Sequence, residues 1–237
     1  MIMETAVIAG VGPGLGASLA RRFAREGFAV ALLSRHAGSS EPVAHEIRSN
    51  GVHALVLPTD VSDPQAVTSA VATIRSHFGP ITVLAYNASG HGRGSFLELE
   101  ATIFRQSFEV GVMGAVHLTQ ALIPGMLEAG HGFISFTGAT AALRGRAGFA
   151  PLSVAKAGLR MLAQSIAREF HPKGIHVVHV IVDGQIDTPK LRAREPDRGT
   201  ETMISSDAIA SCIIHTFRQP PNAWSHEIDI RPNVEPF

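Results

Sequence analysis

The sequence predicts an α/β protein built on a doubly wound, parallel sheet of about seven strands with helices on both faces. Three observations predict it. Strand-like and helix-like segments alternate along the whole chain, as crossover connections between parallel strands require. Most of the strand-like segments are continuously apolar, as strands covered on both faces should be. The first of them runs into a glycine-rich turn that opens an amphipathic helix.

Taken in order, Thr5–Ala9 reads as the first strand. Leu15, Leu19 and Phe23 then recur every four residues along a helix that Gly27 is placed to stop. Phe28–Leu33 and Ala54–Leu57 read as the second and third strands. Ser62-Asp63-Pro64 supplies a capping side chain before a first-turn proline, and Val67, Val71, Ile74 and Phe78 form the apolar stripe that follows. Ile81–Tyr86 and Gly132–Thr137 are the fourth and fifth strands, with an apolar helix over Ala101–Met126 between them. Pro151 starts a helix, Pro151–Phe170, that carries Lys156; Ile175–Val182 and Glu227–Ile230 complete the sheet. No linker, repeat or low-complexity stretch interrupts residues 1–237, which read as a single domain. The Pro/Arg-rich segment Thr188–Thr200 lies late in the chain, where a mobile substrate loop is expected.

Composition removes several functions. Of 237 residues, 45% are hydrophobic and 17% charged, which excludes disorder. Twenty basic and twenty acidic residues cancel, so neither nucleic acid nor an anionic membrane is an expected partner. No apolar run is read as reaching the roughly 20 residues of a membrane span, and no cleavable signal is recognised at the N-terminus. Cys212 is the one cysteine; it forbids an internal disulfide and suits a reducing compartment, so a cytoplasmic protein is expected. Among twelve histidines, His176 and His179 stand three apart on a strand and point to opposite faces. There is no His-Glu-x-x-His and no cysteine pair, and no metal is expected.

The chemistry begins at Gly10-Val11-Gly12-Pro13-Gly14-Leu15-Gly16. Glycines let the backbone approach a pyrophosphate, and the helix that follows offers free N–H groups and its positive dipole end. The turn therefore predicts a Rossmann-type, dinucleotide-binding domain.

The spacing Gly10-x3-Gly14-x-Gly16 resembles the glycine turn of the short-chain dehydrogenase/reductase family, and further landmarks follow in order. Asp60-Val61 after the third strand is similar to the family's Asp-Val at the adenine. Asn87-Ala88-Ser89 resembles its Asn-Ala-Gly. Lys156 stands where the family keeps its ribose-binding lysine, and Asp183-Gly184-Gln185-Ile186-Asp187-Thr188 resembles the segment over the nicotinamide. The resemblance runs from Ala6 to about Ile230. It implies that Gly10, Gly12, Gly14, Leu15, Gly16, Asp60, Val61, Asn87, Ala88, Ser89, Lys156, Gly184, Ile186 and Thr188 contact the cofactor. By analogy the long apolar helices imply a homodimer or homotetramer.

The second strand ends Leu32-Leu33-Ser34-Arg35, without the acid that favours NAD. A carboxylate there would repel a 2′-phosphate, whereas Arg35, with Ser34 beside it, can bind one through a charge-assisted fork. NADP(H) is the expected cofactor, with NAD the alternative.

Enzymes of this family align Ser-x12-Tyr-x3-Lys and an asparagine on the preceding helix, the tyrosine acting as proton donor. Four residues before Lys156 stands Leu152, thirteen before that Ala139, and Gly111 takes the asparagine position. The one tyrosine, Tyr86, belongs to the fourth strand. Thr140 and Ser153 keep the x12 spacing displaced by one, with Ser153 turned about 100° around the helix and off the expected face. Asp183, in place of a family proline, is then a candidate acid if burial raises its pKa. Asp187, His91, Arg144 and Arg146 fall on nearby loops. Two functions remain: an atypical oxidoreductase of unknown small-molecule substrate, in the manner of the dienoyl-CoA reductases that lack the usual serine–tyrosine pair, or a non-catalytic dinucleotide-binding sensor or partner subunit.

Overall fold

The computed structural model describes residues 3–234. Its centre is a seven-stranded parallel sheet formed by β1 (Thr5–Ala9), β2 (Ala29–Ser34), β3 (Ala54–Pro58), β4 (Ile81–Tyr86), β5 (Gly132–Thr137), β6 (Ile175–Val182) and β9 (Glu227–Ile230), in the spatial order β3-β2-β1-β4-β5-β6-β9. Every residue of β1, β2, β4 and β6 is buried, which is why these segments are mostly apolar instead of alternating.

Alternate side chains of β1 feed two separate cores. Ala6 and Ile8 pack with α1 (Leu15–Arg25), α2 (Glu41–Ser49) and α8 (Ser206–Phe217). Val7 and Ala9 pack with α3 (Pro64–Phe78), α5 (Gly114–Ala129) and α6 (Ala150–Phe170). The helix signals operate as the sequence suggests: Asp63 caps α3 by accepting from Gln65 N at 2.8 Å, and Gly27, at φ +92°, follows α1.

Three features depart from the sequence reading. The helix over Ala101–Met126 is really α4 (Ala101–Phe108) and α5 joined by one π-helical turn at Glu109–Met113. That joined run, Ala101–Ala129, is long and apolar enough to cross a membrane by length and composition, contrary to the expectation; half of its most apolar window is buried inside the protein. The loop after β6 is structured, with α7 (Pro189–Arg194) capped by Thr188 and a small second sheet pairing β7 (Gln185–Ile186) with β8 (Met203–Ile204). Two-residue strands are too short to leave a periodicity.

The joint between β1, α1 and β4 has almost no room. Gly10 adopts φ +90°, and a Cβ there would stand 2.5 Å from Ala88 N. A Cβ on Gly16 would stand 2.5 Å from Gly10 O, whereas one on Gly12 would meet nothing within 4 Å. Gly16→Ala should therefore cost about 1–3 kcal/mol through overpacking against backbone, and Gly12→Ala less than about 0.5 kcal/mol. Urea unfolding of the two variants separates them; equal losses would contradict this account of the joint.

His176 and His179 do face opposite sides of β6. His176 stacks on Trp224 at 4.6 Å and bonds Ser225 O at 2.8 Å; His179 bonds Glu227 at 3.0 Å, and Arg160 holds that carboxylate at 2.7 and 2.8 Å. Burial pushes both imidazoles down to about 4, against the opposing pull of those acceptors. Their ordinary value is about 6.5, so between pH 6.5 and 4 the unfolded chain takes up protons that the folded chain refuses. Stability is complete above that window and falls as pH drops through it. Urea melts at pH 7 and pH 5 should differ by on the order of 2 kcal/mol per histidine, with the lower stability at pH 5; a flat profile would overturn the assignment.

Candidate functional site

Strand order reverses direction between β1 and β4, and in such sheets ligands bind outside the C-terminal ends of the strands at that point. A crevice of about 580 Å³ opens there. Gly10, Val11 and Gly12 form one wall, Arg35 closes the end beside β2, and Asp60, Val61, Asn87, Ala88 and Ser89 form the rest. Asn87 bridges the walls: its backbone N donates to Ala9 O at 2.8 Å and its Nδ2 to Gly10 O at 2.9 Å. The space a Cβ on Gly12 would fill is open, and α1 starts with no side-chain cap on its N–H groups. This is a cradle for a phosphate-bearing ligand.

Not every residue expected at the cofactor borders this crevice. Gly14, Leu15 and Gly16 lie outside it. Leu15 belongs to the core, and a Cβ on Gly14 would meet the Thr188 methyl at 2.8 Å, so Gly14 faces the loop after β6. Ser34 borders the crevice, but its hydroxyl donates to His36 O at 2.9 Å and pairs with Ser40 at 2.6 Å. It braces the turn that presents Arg35. Asp60 accepts from the Ser62 N–H at 3.0 Å and hydroxyl at 2.6 Å; those bonds, aided by Arg35, hold its carboxyl below the usual range although burial opposes them. His91 also borders the crevice, held down by burial and by the charges of Lys190, Lys156 and Arg35. Ile186 packs against the core.

Lys156 is buried, and its Nζ donates to Thr137 O at 2.6 Å. Burial pushes its pKa down to about 8, because desolvation disfavours the charged ammonium. Tyr86 donates its hydroxyl to Val110 O and is fully buried, which raises its pKa. It is a core residue.

A second cavity, about 550 Å³, lies over the C-terminal ends of β5 and β6. Ala139 and Leu152 both line it, together with Gly184, so positions 139 and 152 meet across one space. Gly111 lies in the π turn, where a Cβ would stand 2.9 Å from Ala155 Cβ. Ser153 lies beside Leu152 at this cavity, with its Oγ buried and without a hydrogen-bond partner.

Asp183 also lines this cavity but is not the free acid expected. Arg231 stands 3.1 Å from its Oδ2, Thr140 donates to its Oδ1, and Arg144 lies at 3.9 Å. A carboxylate so surrounded is an acceptor already engaged. The cause is tertiary: β9 pairs with β6, and Asp183 N donates to Ile230 O at 2.8 Å, which brings Arg231 alongside. Asp187 is likewise taken, clamped by Arg192 at 2.6 Å. The sequence reading missed Arg198, which lines the second cavity from the Pro/Arg-rich segment, and Arg231. Among the described residues no three His, Cys, Asp or Glu side chains are grouped to hold a metal.

A model of the short chain dehydrogenase family matches residues 4–199. Among solved structures, a short-chain dehydrogenase from Rhodopseudomonas palustris is 33% identical, with a TM-score of 0.81 over 98% of this chain and 99% of its own. The L-sorbose reductase of Gluconobacter frateurii, solved with NADPH and L-sorbose, is 24% identical with a TM-score of 0.88 over 98% and 96% of the two chains. A ketoacyl reductase from a Nostoc species is 28% identical over 79% of this chain and 69% of its own. The match over most of the chain, on a sheet of this order, means that the protein belongs to the short chain dehydrogenase family of oxidoreductases.

Proposed function

We propose that this chain is an NADP(H)-dependent oxidoreductase that works without a phenolic acid at its active site. The observation that carries the cofactor choice is Arg35: it borders the crevice at the end of β2, and no carboxylate takes that position. The NADPH bound by L-sorbose reductase supports the same choice. Gly12 and the open N-terminus of α1 would hold the pyrophosphate, Arg35 the 2′-phosphate, and Asp60 with Val61 the adenosine end. NADPH supplies a hydride when bound. Lys156 Nζ, fixed on Thr137 O, has two further N–H donors for a ribose.

The cavity over β5 and β6 is the substrate's place in this reading. At positions 139 and 152 it presents a methyl and an isobutyl group, neither of which moves a proton. A carbonyl that needs an acid would react slowly there, whereas an acceptor activated by its own substituents would not. The non-catalytic alternative shares the cofactor and differs only in turnover. A homodimer or homotetramer is part of the proposal, supported by the exposed apolar side chains Val154 and Met161 on α6 and Phe108 on α4, as is a cytoplasmic setting, supported by the unpaired Cys212.

NADPH should bind more tightly than NADH, and Arg35→Asp should weaken NADPH by about 1.5–3 kcal/mol and reverse the preference. Calorimetric titration of both nucleotides measures it, and equal affinities in the unmodified protein would remove the basis for a phosphate site.

Reduction of simple ketones should be slow, because general acid catalysis worth about 10²–10⁴-fold is missing. Ala139→Ser with Leu152→Tyr should raise it, and either change alone should do little, since such groups act as a unit. NADPH oxidation against a panel of carbonyl and conjugated C=C acceptors tests all four proteins. Rapid ketone reduction by the unmodified chain that survives Lys156→Ala would sink the proposal, and no turnover with any acceptor would favour the sensor.

A further inference from the structure

The cavity over β5 and β6 is lined by more positive charge than its own carboxylate balances. Arg144, Arg146 and Arg198 all line it, with Asp183 the one carboxylate among the lining residues. Arg198 shares the Glu195 carboxylate, at 2.6 Å, with Arg194 at 2.7 Å. Arg144 has only Asp183 at 3.9 Å, and that carboxylate already holds Arg231 at 3.1 Å. Arg146 has no carboxylate partner at all among the described residues; its guanidinium lies over the Phe149 ring, 5.8 Å from the centroid. Arg93 lies over the same ring at 4.9 Å. Like charges gathered around one ring repel each other, and an anion placed among them would relieve that repulsion.

We propose that this cavity is an anion-binding subsite for the substrate, in which Arg144 and Arg146 grip a carboxylate or phosphate group. A guanidinium fork matches either oxyanion. The proposal deepens the oxidoreductase reading by naming the substrate class, an anionic acceptor, and it rests on that reading only for calling the ligand a substrate. The position suits the role, because Ala139 and Leu152 border the same space. An anion held by two guanidinium groups also brings positive charge to the acceptor, which stabilises negative charge developing on it.

Calorimetric titration of the full chain without nucleotide tests this, comparing acetoacetate with methyl acetoacetate and dihydroxyacetone phosphate with dihydroxyacetone. At least one charged probe should bind about tenfold or more tightly than its uncharged counterpart, and the tighter anion identifies carboxylate or phosphate as the group recognised. The double variant Arg144→Gln/Arg146→Gln should lose roughly 10–100-fold of that affinity. Arg146→Lys should lose less, since it keeps the charge and gives up the fork. Both arginines are exposed, so the melting temperature of the double variant should match the parent. Its affinity for NADPH, titrated separately, should also be unchanged. A failure of NADPH to bind the parent protein would strike the proposed function and leave the anion titrations standing. Equal or absent binding of the charged and uncharged probes overturns the subsite, as does anion affinity that persists in the folded double variant or a matching loss of NADPH affinity.

Discussion

The arrangement depends on a contact between backbones at Gly10. Its N–H donates to Leu33 O at 2.9 Å, its carbonyl accepts from Asn87 Nδ2 at 2.9 Å, and its α-carbon lies so close to Ala88 that no side chain fits. Three connections that emerge from β1, β2 and β4 are locked together there without any side-chain packing. Gly16 adds the return of α1 onto the same point. Because these groups are fixed by hydrogen bonds and close approach, the mouth of the sheet has one shape. The crevice beside Gly12 is what remains open when the turn closes.

Polar groups elsewhere in the sheet follow a different logic. His179, Glu227 and Arg160 form a linked run from the buried strand β6 across β9 to α6. Asp183 ends β6 among Arg231, Arg144 and Thr140. Both buried ionisable groups, His179 and Asp183, are met by partners from adjacent elements, as the cost of an unpaired buried charge requires. At the cavity over β5 and β6, Arg146 is exposed and has no carboxylate partner among the described residues. Ala139 and Leu152 line the same cavity as Arg144 and Arg146.

Much was legible in the sequence by itself. Continuous apolar runs and a 3.6-residue stripe are local consequences of burial on one face or two, so β1 to β6 and β9 could be placed within a residue or two, whereas α2 and α8 were not recognised. Asp63 as a cap and Gly10 in its turn are likewise read from single residues, because φ and capping depend on nearest neighbours. Arg35 at the rim of the crevice followed from the end of the second strand, and the pairing of positions 139 and 152 was implied by the family resemblance. What only the tertiary structure decided concerns partners distant in sequence. Asp183 is engaged because β9, more than forty residues later, pairs with β6. Gly14 faces Thr188 and Leu15 faces the core because the loop after β6 folds back over the turn. The π turn that seats Gly111 on Ala155 answers to the packing of α6. Local patterns record whether a residue is buried. Which partner buries it, and so whether its charge is free to act, is set by contacts that no window of sequence contains.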